Sequence, residues 1–370
     1  MTDDADPTSE PEPTEDELRA SCTRFLSWHG NRSTSDALAE VREVLGEVTA
    51  DNYGDGGVVA ELETEVRELL GKPAAVFMPS GTMAQQVALR VHADRLGRRV
   101  VLWHPQSHLA KWEDQAAERL HGLLPRPVGE SRSLITLDEL TEVAEPFAAL
   151  LLELPQREIG GRLPQWDDLV AQTTWARERG AAVHLDGARL LESLPFYGRS
   201  AAEVCALFDS VYLSLYKGLG GLAGCVLAGD EALVAQAREW RHRHGGTLFA
   251  MWPYAAAGLA GLRLRGPRIP DYVEHTRAIC AELSTLDGVS VVPDPPQTTM
   301  AHLYLRVGAD TFAARTRALA VEEKTWVWPK AFPTELPDHV AVEIVSGDAT
   351  MQWSPAEVRD LVAGLVVPAS

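Results

Sequence analysis

Apolar residues recur three and four positions apart through ALAEVREVLGEV (37–48) and VVAELETEVRELLG (58–71), the spacing that lays one apolar stripe along a helix. Between and after such segments stand short, nearly continuous apolar runs. AAVFM (74–78) leads through a Gly-containing turn into the helical pattern GTMAQQVALRVHADRL (81–96). RRVVLWH (98–104), FAALLLELP (147–155), AAVHLDGAR (181–189), SVYLSLYKG (210–218) and GCVLAG (224–229) follow as strands. Runs apolar on both faces are the mark of strands buried in a parallel sheet. Helical patterns fill the intervals, including DDLVAQTTWARERG (167–180) with Gly180 as its cap, DEALVAQAREWRHRHGG (230–246) and MWPYAAAGLAGLRLRG (251–266). The last is apolar all round and predicts a buried core helix. This alternation predicts an α/β domain with a mostly parallel sheet.

Beyond about residue 268 the pattern changes. Helices over 270–286, 310–323 and 354–366 alternate with strands over 289–294, 301–307 and 340–346, predicting a smaller α+β domain at 268–370. The large domain is expected over 19–267. Residues 1–18 are acidic and proline-bearing, with too little apolar surface to offset ordering, and are expected to be a disordered tail.

Composition narrows the function. The chain has 370 residues, 45% of them apolar, a net charge of −19 and a pI near 5.0. That balance argues against nucleic acid or an anionic membrane as partner. No apolar run is long enough to span a bilayer, and the start of the chain lacks an apolar signal core. Cys22, Cys205, Cys225 and Cys280 are scattered, with no CxxC pair. A cytoplasmic protein is expected.

Four constellations carry chemistry. Ser80, Gly81 and Thr82 lie between a strand and a helix N-terminus, where free amides suit a phosphate as well as a plain Ser/Thr cap. Asp186 ends an apolar strand, where a carboxylate needs a partner such as a protonated ring nitrogen, and Arg189 follows as a cation. Lys217 is one of five lysines, the others being 72, 111, 324 and 330, and it sits between an apolar strand and a glycine run. A desolvated lysine there suits Schiff-base chemistry, and the glycines leave room for a planar group. His104, His108 and Glu113 cluster after another strand; an imidazole can stack on a ring or move a proton. No third ligand stands at helical spacing, so no metal is expected. Together these residues meet the needs of one molecule, pyridoxal 5′-phosphate, in order and each at a strand end.

The motifs YGDGGVVAELE (from Tyr53), FMPSGTMAQQ (from Phe77), SHLAKWE (from Ser107), HLDGARL (from His184) and SLYKGLGGLAGCVLAG (from Ser214) resemble the threonine aldolase and β-eliminating lyase family of fold-type I pyridoxal-phosphate enzymes. The resemblance implies that fold, a dimer or tetramer, and a role for each residue. Lys217 would bond the cofactor aldehyde, Asp186 would pair with its ring nitrogen, and His108 would stack on the ring and transfer a proton. Ser80, Gly81 and Thr82 would hold the phosphate. Arg189 would approach the phenolic oxygen or the substrate carboxylate, and Ser27 the substrate carboxylate. The implied reaction is Cα–Cβ cleavage of a β-hydroxy-α-amino acid to glycine and an aldehyde.

The departures matter as well. The chain has Leu26, Ser27, Trp28 and His29 where the family has Arg-Ser-Asp-Thr, and Gln85 for an asparagine. Glu153-Leu-Pro-Gln-Arg157 stands for Glu-Asn-Thr-His-Asn, and Leu248-Phe-Ala250 for Met-Arg-Gln. A late-strand arginine that would clamp the carboxylate is replaced by Glu343, which would repel it. Either Arg189 or an arginine such as Arg241 takes over the clamp, or the substrate is an amine or cationic amino acid undergoing β-elimination or other Cα chemistry. A further reading leaves Glu343 on the surface.

Overall fold

The computed structural model describes residues 13–328 and 330–366. A short strand β1 (Arg24–Phe25) precedes the main sheet, which is built from β2 (Ala74–Met78), β3 (Val100–Trp103), β4 (Leu124–Pro127), β5 (Ala149–Glu153), β6 (Ala182–Gly187), β7 (Ser210–Ser214) and β8 (Cys225–Gly229). Their order is β2-β8-β7-β6-β5-β3-β4, with β8 antiparallel to its neighbours and the remaining pairs parallel. The apolar runs are strands because both faces are covered: every residue of β5, β7 and β8 is buried. The helix Trp252–Arg265 is buried from Ala255 to Leu262, as its all-round apolar character predicts.

The second sheet is antiparallel. β9 (Val289–Val292), β10 (Met300–Leu305), β12 (Phe332–Pro333) and β13 (Val340–Val345) stand in the order β12-β13-β10-β9 over their own core, while β11 (Thr325–Trp326) pairs with β1. The division at 268 is not clean. The helix Ile269–Leu283 gives Ile269, Tyr272 and Val273 to the large core and Ile279, Cys280 and Leu283 to the small one. Leu26 also packs in the small core, so the N-terminal segment belongs with the C-terminal domain.

The tail ends earlier than expected. Residues 1–12 lie outside the described residues, but Glu15–Ser21 is a helix opened by a Thr14/Glu17 capping box. Buried Leu18 packs with Cys22, Ala320 and Trp326, apolar burial that an acidic composition conceals. Among the described residues no helix is long and apolar enough to cross a membrane.

Candidate active site

The parallel strands end on one edge, and the chemistry-bearing loops leave from it. A cavity of about 230 Å³ there is lined by Ser80, Gly81, Thr82, His108, Asp186 and Lys217, joined by Gln85, Glu113, Tyr212 and Tyr216. A smaller adjoining chamber is lined by Lys217, His108, Asp186, Glu153, Arg157 and Arg189. The sequence-separated motifs thus meet at the carboxyl ends of the strands, where open α/β sheets bind ligands.

Each side chain is held by its local structure. Ser80 caps the helix Gly81–Leu96, its Oγ accepting the Met83 amide at 3.2 Å. The Gly81 and Thr82 amides lie in the first turn, where no intrahelical acceptor exists, and face an anion favourably. Gly81 is required: a Cβ would come within 2.4 Å of the Tyr212 hydroxyl. Asp186, at the end of β6, accepts the Ala188 amide at 3.0 Å. Beneath it, His184 bridges Ser210 at 2.7 Å and Gln85 at 2.6 Å, and burial pushes it down to about 3. His184 is therefore neutral and fixes the strand end.

His108 opens a short helix and is more than one-third exposed. Its amide donates to Glu153 at 2.7 Å, and its Nδ1 meets the buried Glu113 carboxylate at 3.1 Å. Gln86 holds the other Glu113 oxygen at 3.0 Å. An Nδ1–H donated to Glu113 leaves Nε2 with its lone pair, the tautomer of a proton acceptor. His104 instead serves structure: it is buried, its Nε2 on the Glu130 and Ser133 carbonyls and its Nδ1 accepting the Gln106 amide.

Burial and Arg189 draw the Lys217 ammonium below its ordinary pKa, against the pull of Asp186 and Glu153. The Lys217 loop is gripped from behind. His29 Nε2 meets the Gly218 carbonyl at 3.0 Å, Arg265 donates to that of Leu219 at 3.4 Å, and Arg32 caps that of Gly220. The glycines beyond the lysine serve packing more than cofactor room. A Cβ on Gly221 would meet the Leu215 carbonyl at 2.6 Å, and one on Gly261 the Leu219 carbonyl at 2.2 Å.

Ser27 lines neither chamber; its carbonyl closes a turn with the Gly30 amide, and the next residue, Trp28, is the one under the Arg189 guanidinium, 5.3 Å away. Glu343 is neither on the surface nor uncompensated. Arg157 lies at 3.0 Å, Arg189 at 4.0 Å and His302 at 3.9 Å. Burial works upward on this carboxyl, but these three neighbours outweigh it and hold it at about 2. Arg241 is spoken for, donating to the Phe77 carbonyl at 2.9 Å beside Gly54. Arg157, passed over in the sequence, is the unanticipated member of the site. Its only sequence signal is an arginine displacing a polar residue in the 153–157 stretch.

Pyridoxal phosphate suits this donor set. The first-turn amides and hydroxyls offer a phosphate cradle, and Arg189 Nε is buried without a hydrogen-bond partner among the described residues. A ligand acceptor would complete it.

A cavity that brings a desolvated lysine to helix first-turn amides and a buried carboxylate is the kind that a pyridoxal-phosphate-dependent enzyme needs. The beta-eliminating lyase family profile matches residues 33–306, and the chain belongs to that family. Low specificity L-threonine aldolase of Escherichia coli is 32% identical over 271 residues, 71% of this chain and 79% of that protein. A solved putative L-allo-threonine aldolase from Listeria monocytogenes is 37% identical with a TM-score of 0.88, covering 94% of this chain and 97% of that one. A putative aromatic amino acid beta-eliminating lyase/threonine aldolase from Exiguobacterium gives 37% identity and a TM-score of 0.87, over 93% and 99%. At the level of the family the protein is a pyridoxal-phosphate-dependent lyase acting at the Cα–Cβ bond, with the fold-type I architecture.

Proposed function

We propose that the protein cleaves β-hydroxy-α-amino acids to glycine and an aldehyde. The observation that carries this is the His108–Glu113 pair, which leaves an imidazole lone pair on the wall of the cavity that holds Lys217. The relatives named as threonine aldolases point the same way.

When bound, the cofactor supplies an electron sink that accepts the electron pair of the breaking Cα–Cβ bond. The remaining work falls to the chain. Lys217, its amine favoured by desolvation, would hold the cofactor through its aldehyde. Ser80, Gly81 and Thr82 would bind the phosphate, and Asp186 would keep the ring nitrogen protonated. Arg189, with its unpartnered Nε, would donate to the phenolic oxygen. His108 Nε2 removes the proton from the β-hydroxyl, and Glu113 stabilises the imidazolium that results. Because Glu343 is already balanced by Arg157 and Arg189, it leaves no net negative charge to select a cationic substrate. The same reading carries a homodimer or homotetramer, measurable by light scattering.

Product analysis with threonine, allo-threonine, phenylserine and cysteine tests this. Glycine and an aldehyde in equal amounts are expected from the hydroxy amino acids. Pyruvate and ammonia as main products would overturn the proposal. His108→Ala is expected to lower kcat about 10²- to 10⁴-fold; an unchanged kcat would remove His108 from the base role.

A further inference from the structure

We infer that Arg157 is the group that binds the substrate α-carboxylate, with Glu343 as the residue that positions it. This rests on the amino-acid lyase reading above. The resemblance puts an arginine on the late strand, and here that position is an acid. The structure brings a guanidinium to that acid: Arg157, on the turn after β5, has its Nη2 3.0 Å from the Glu343 carboxylate. The charge has changed owner rather than left the site.

Three observations favour Arg157 over the other cations. It lines the chamber that adjoins Lys217, and its side chain is 32% exposed, so a ligand can reach it. Arg189 lines the same chamber but is only 6% exposed and lies over Trp28. Arg241 is committed to the Phe77 carbonyl. Arg157 is also held at two points, Nη1 on Glu158 at 2.7 Å and Nη2 on Glu343 at 3.0 Å. The Glu158 hydrogen bond orients the fork and the Glu343 ion pair draws it inward without a hydrogen bond, so most of the five N–H donors of the guanidinium stay open to a carboxylate. Arg157 is thus a specificity residue and Glu343 a positioning residue.

Calorimetric titration of holoenzyme with glycine and with glycinamide isolates the carboxylate, since the two ligands share the amine. Arg157→Gln is expected to weaken glycine binding at least about tenfold while glycinamide changes less than threefold. Glu343→Gln is expected to weaken glycine in the same selective sense by a smaller factor. The visible band of bound cofactor should survive in both variants. Unchanged glycine binding in Arg157→Gln, or equal loss of both ligands, would overturn the assignment. Tighter glycine binding in Glu343→Gln would make that residue a competitor and overturn its positioning role. Binding is read without turnover. A wild type that prefers glycine to glycinamide yet cleaves no hydroxy amino acid would refute the lyase reading and spare this one.

Discussion

Three buried or half-buried glutamates show how one side chain takes different states by environment. Glu153 is fully buried, and burial with the Asp186 charge pushes it well above the usual carboxylate range. Glu192, buried against Gly218, is raised to about 7 by burial, partly offset by Arg189 and Lys217. Glu343 is held at about 2 by its cationic neighbours. The Glu153 carboxyl accepts the His108 amide, and burial favours its protonated form, which is nearly isosteric with glutamine. Glu153→Gln should therefore keep the cofactor band and stability within about 1 kcal/mol, whereas Glu153→Ala should cost about 1–3 kcal/mol in chemical denaturation. Equal losses would mean the carboxyl is charged in place. Glu192 gives a pH signature. Its native pKa is raised, so its contribution is full below about pH 4.5 and is lost as pH rises to about 7. Thermal melts of apoprotein should show Glu192→Gln flattening the fall in Tm between pH 5 and 7. A parallel fall in both proteins would refute the assignment.

At the scale of elements, the lysine loop and the helix Trp252–Arg265 form one device. Glycine in both lets the loop carbonyls lie against the helix backbone, which sets the height of Lys217 beneath the cavity. Gly261→Ala, with a Cβ 2.2 Å from the Leu219 carbonyl, should displace the loop and raise the cofactor dissociation constant. Fluorescence titration with pyridoxal phosphate checks this, and unaltered affinity would show that the loop finds another seat. The approach was not legible in the sequence, because a contact between segments some forty residues apart leaves no local period. The strands were legible, since apolar runs ending in Gly, Asp or Pro carry their own boundaries. The antiparallel direction of β8 was not, because burial on both faces looks alike either way. The site shows the same division. Lys217, Asp186, His108 and Ser80–Thr82 stood out by residue type at strand ends. Arg157 did not, because its meaning lies in meeting Glu343 across two domains.

At the scale of the whole molecule, Asp348 ties the domains together. It accepts from Arg265 at 2.7 Å, and from Arg268 and Tyr272, while His29 Nδ1 lies at 3.4 Å. Of these, His29 and Arg265 also cap the Gly218 and Leu219 carbonyls. The segment after β13 is thereby linked to the loop that carries Lys217. Burial would raise Asp348, but His29, Tyr272 and Arg265 hold it far below the carboxylate range. Its contribution is therefore present at neutral pH and is lost as pH falls below about 4. Asp348→Asn should cost on the order of 2 kcal/mol at pH 7, discounted for partial exposure, with the gap to wild type closing in acid. A gap independent of pH would contradict an ionic role.

The account stands on a covalent bond between Lys217 and pyridoxal phosphate. Borohydride reduction of holoenzyme followed by peptide mass mapping reads that bond directly. The predicted result is a single phosphopyridoxyl adduct on Lys217. An adduct on Lys72, Lys111, Lys324 or Lys330 instead, or no adduct at all, would contradict it.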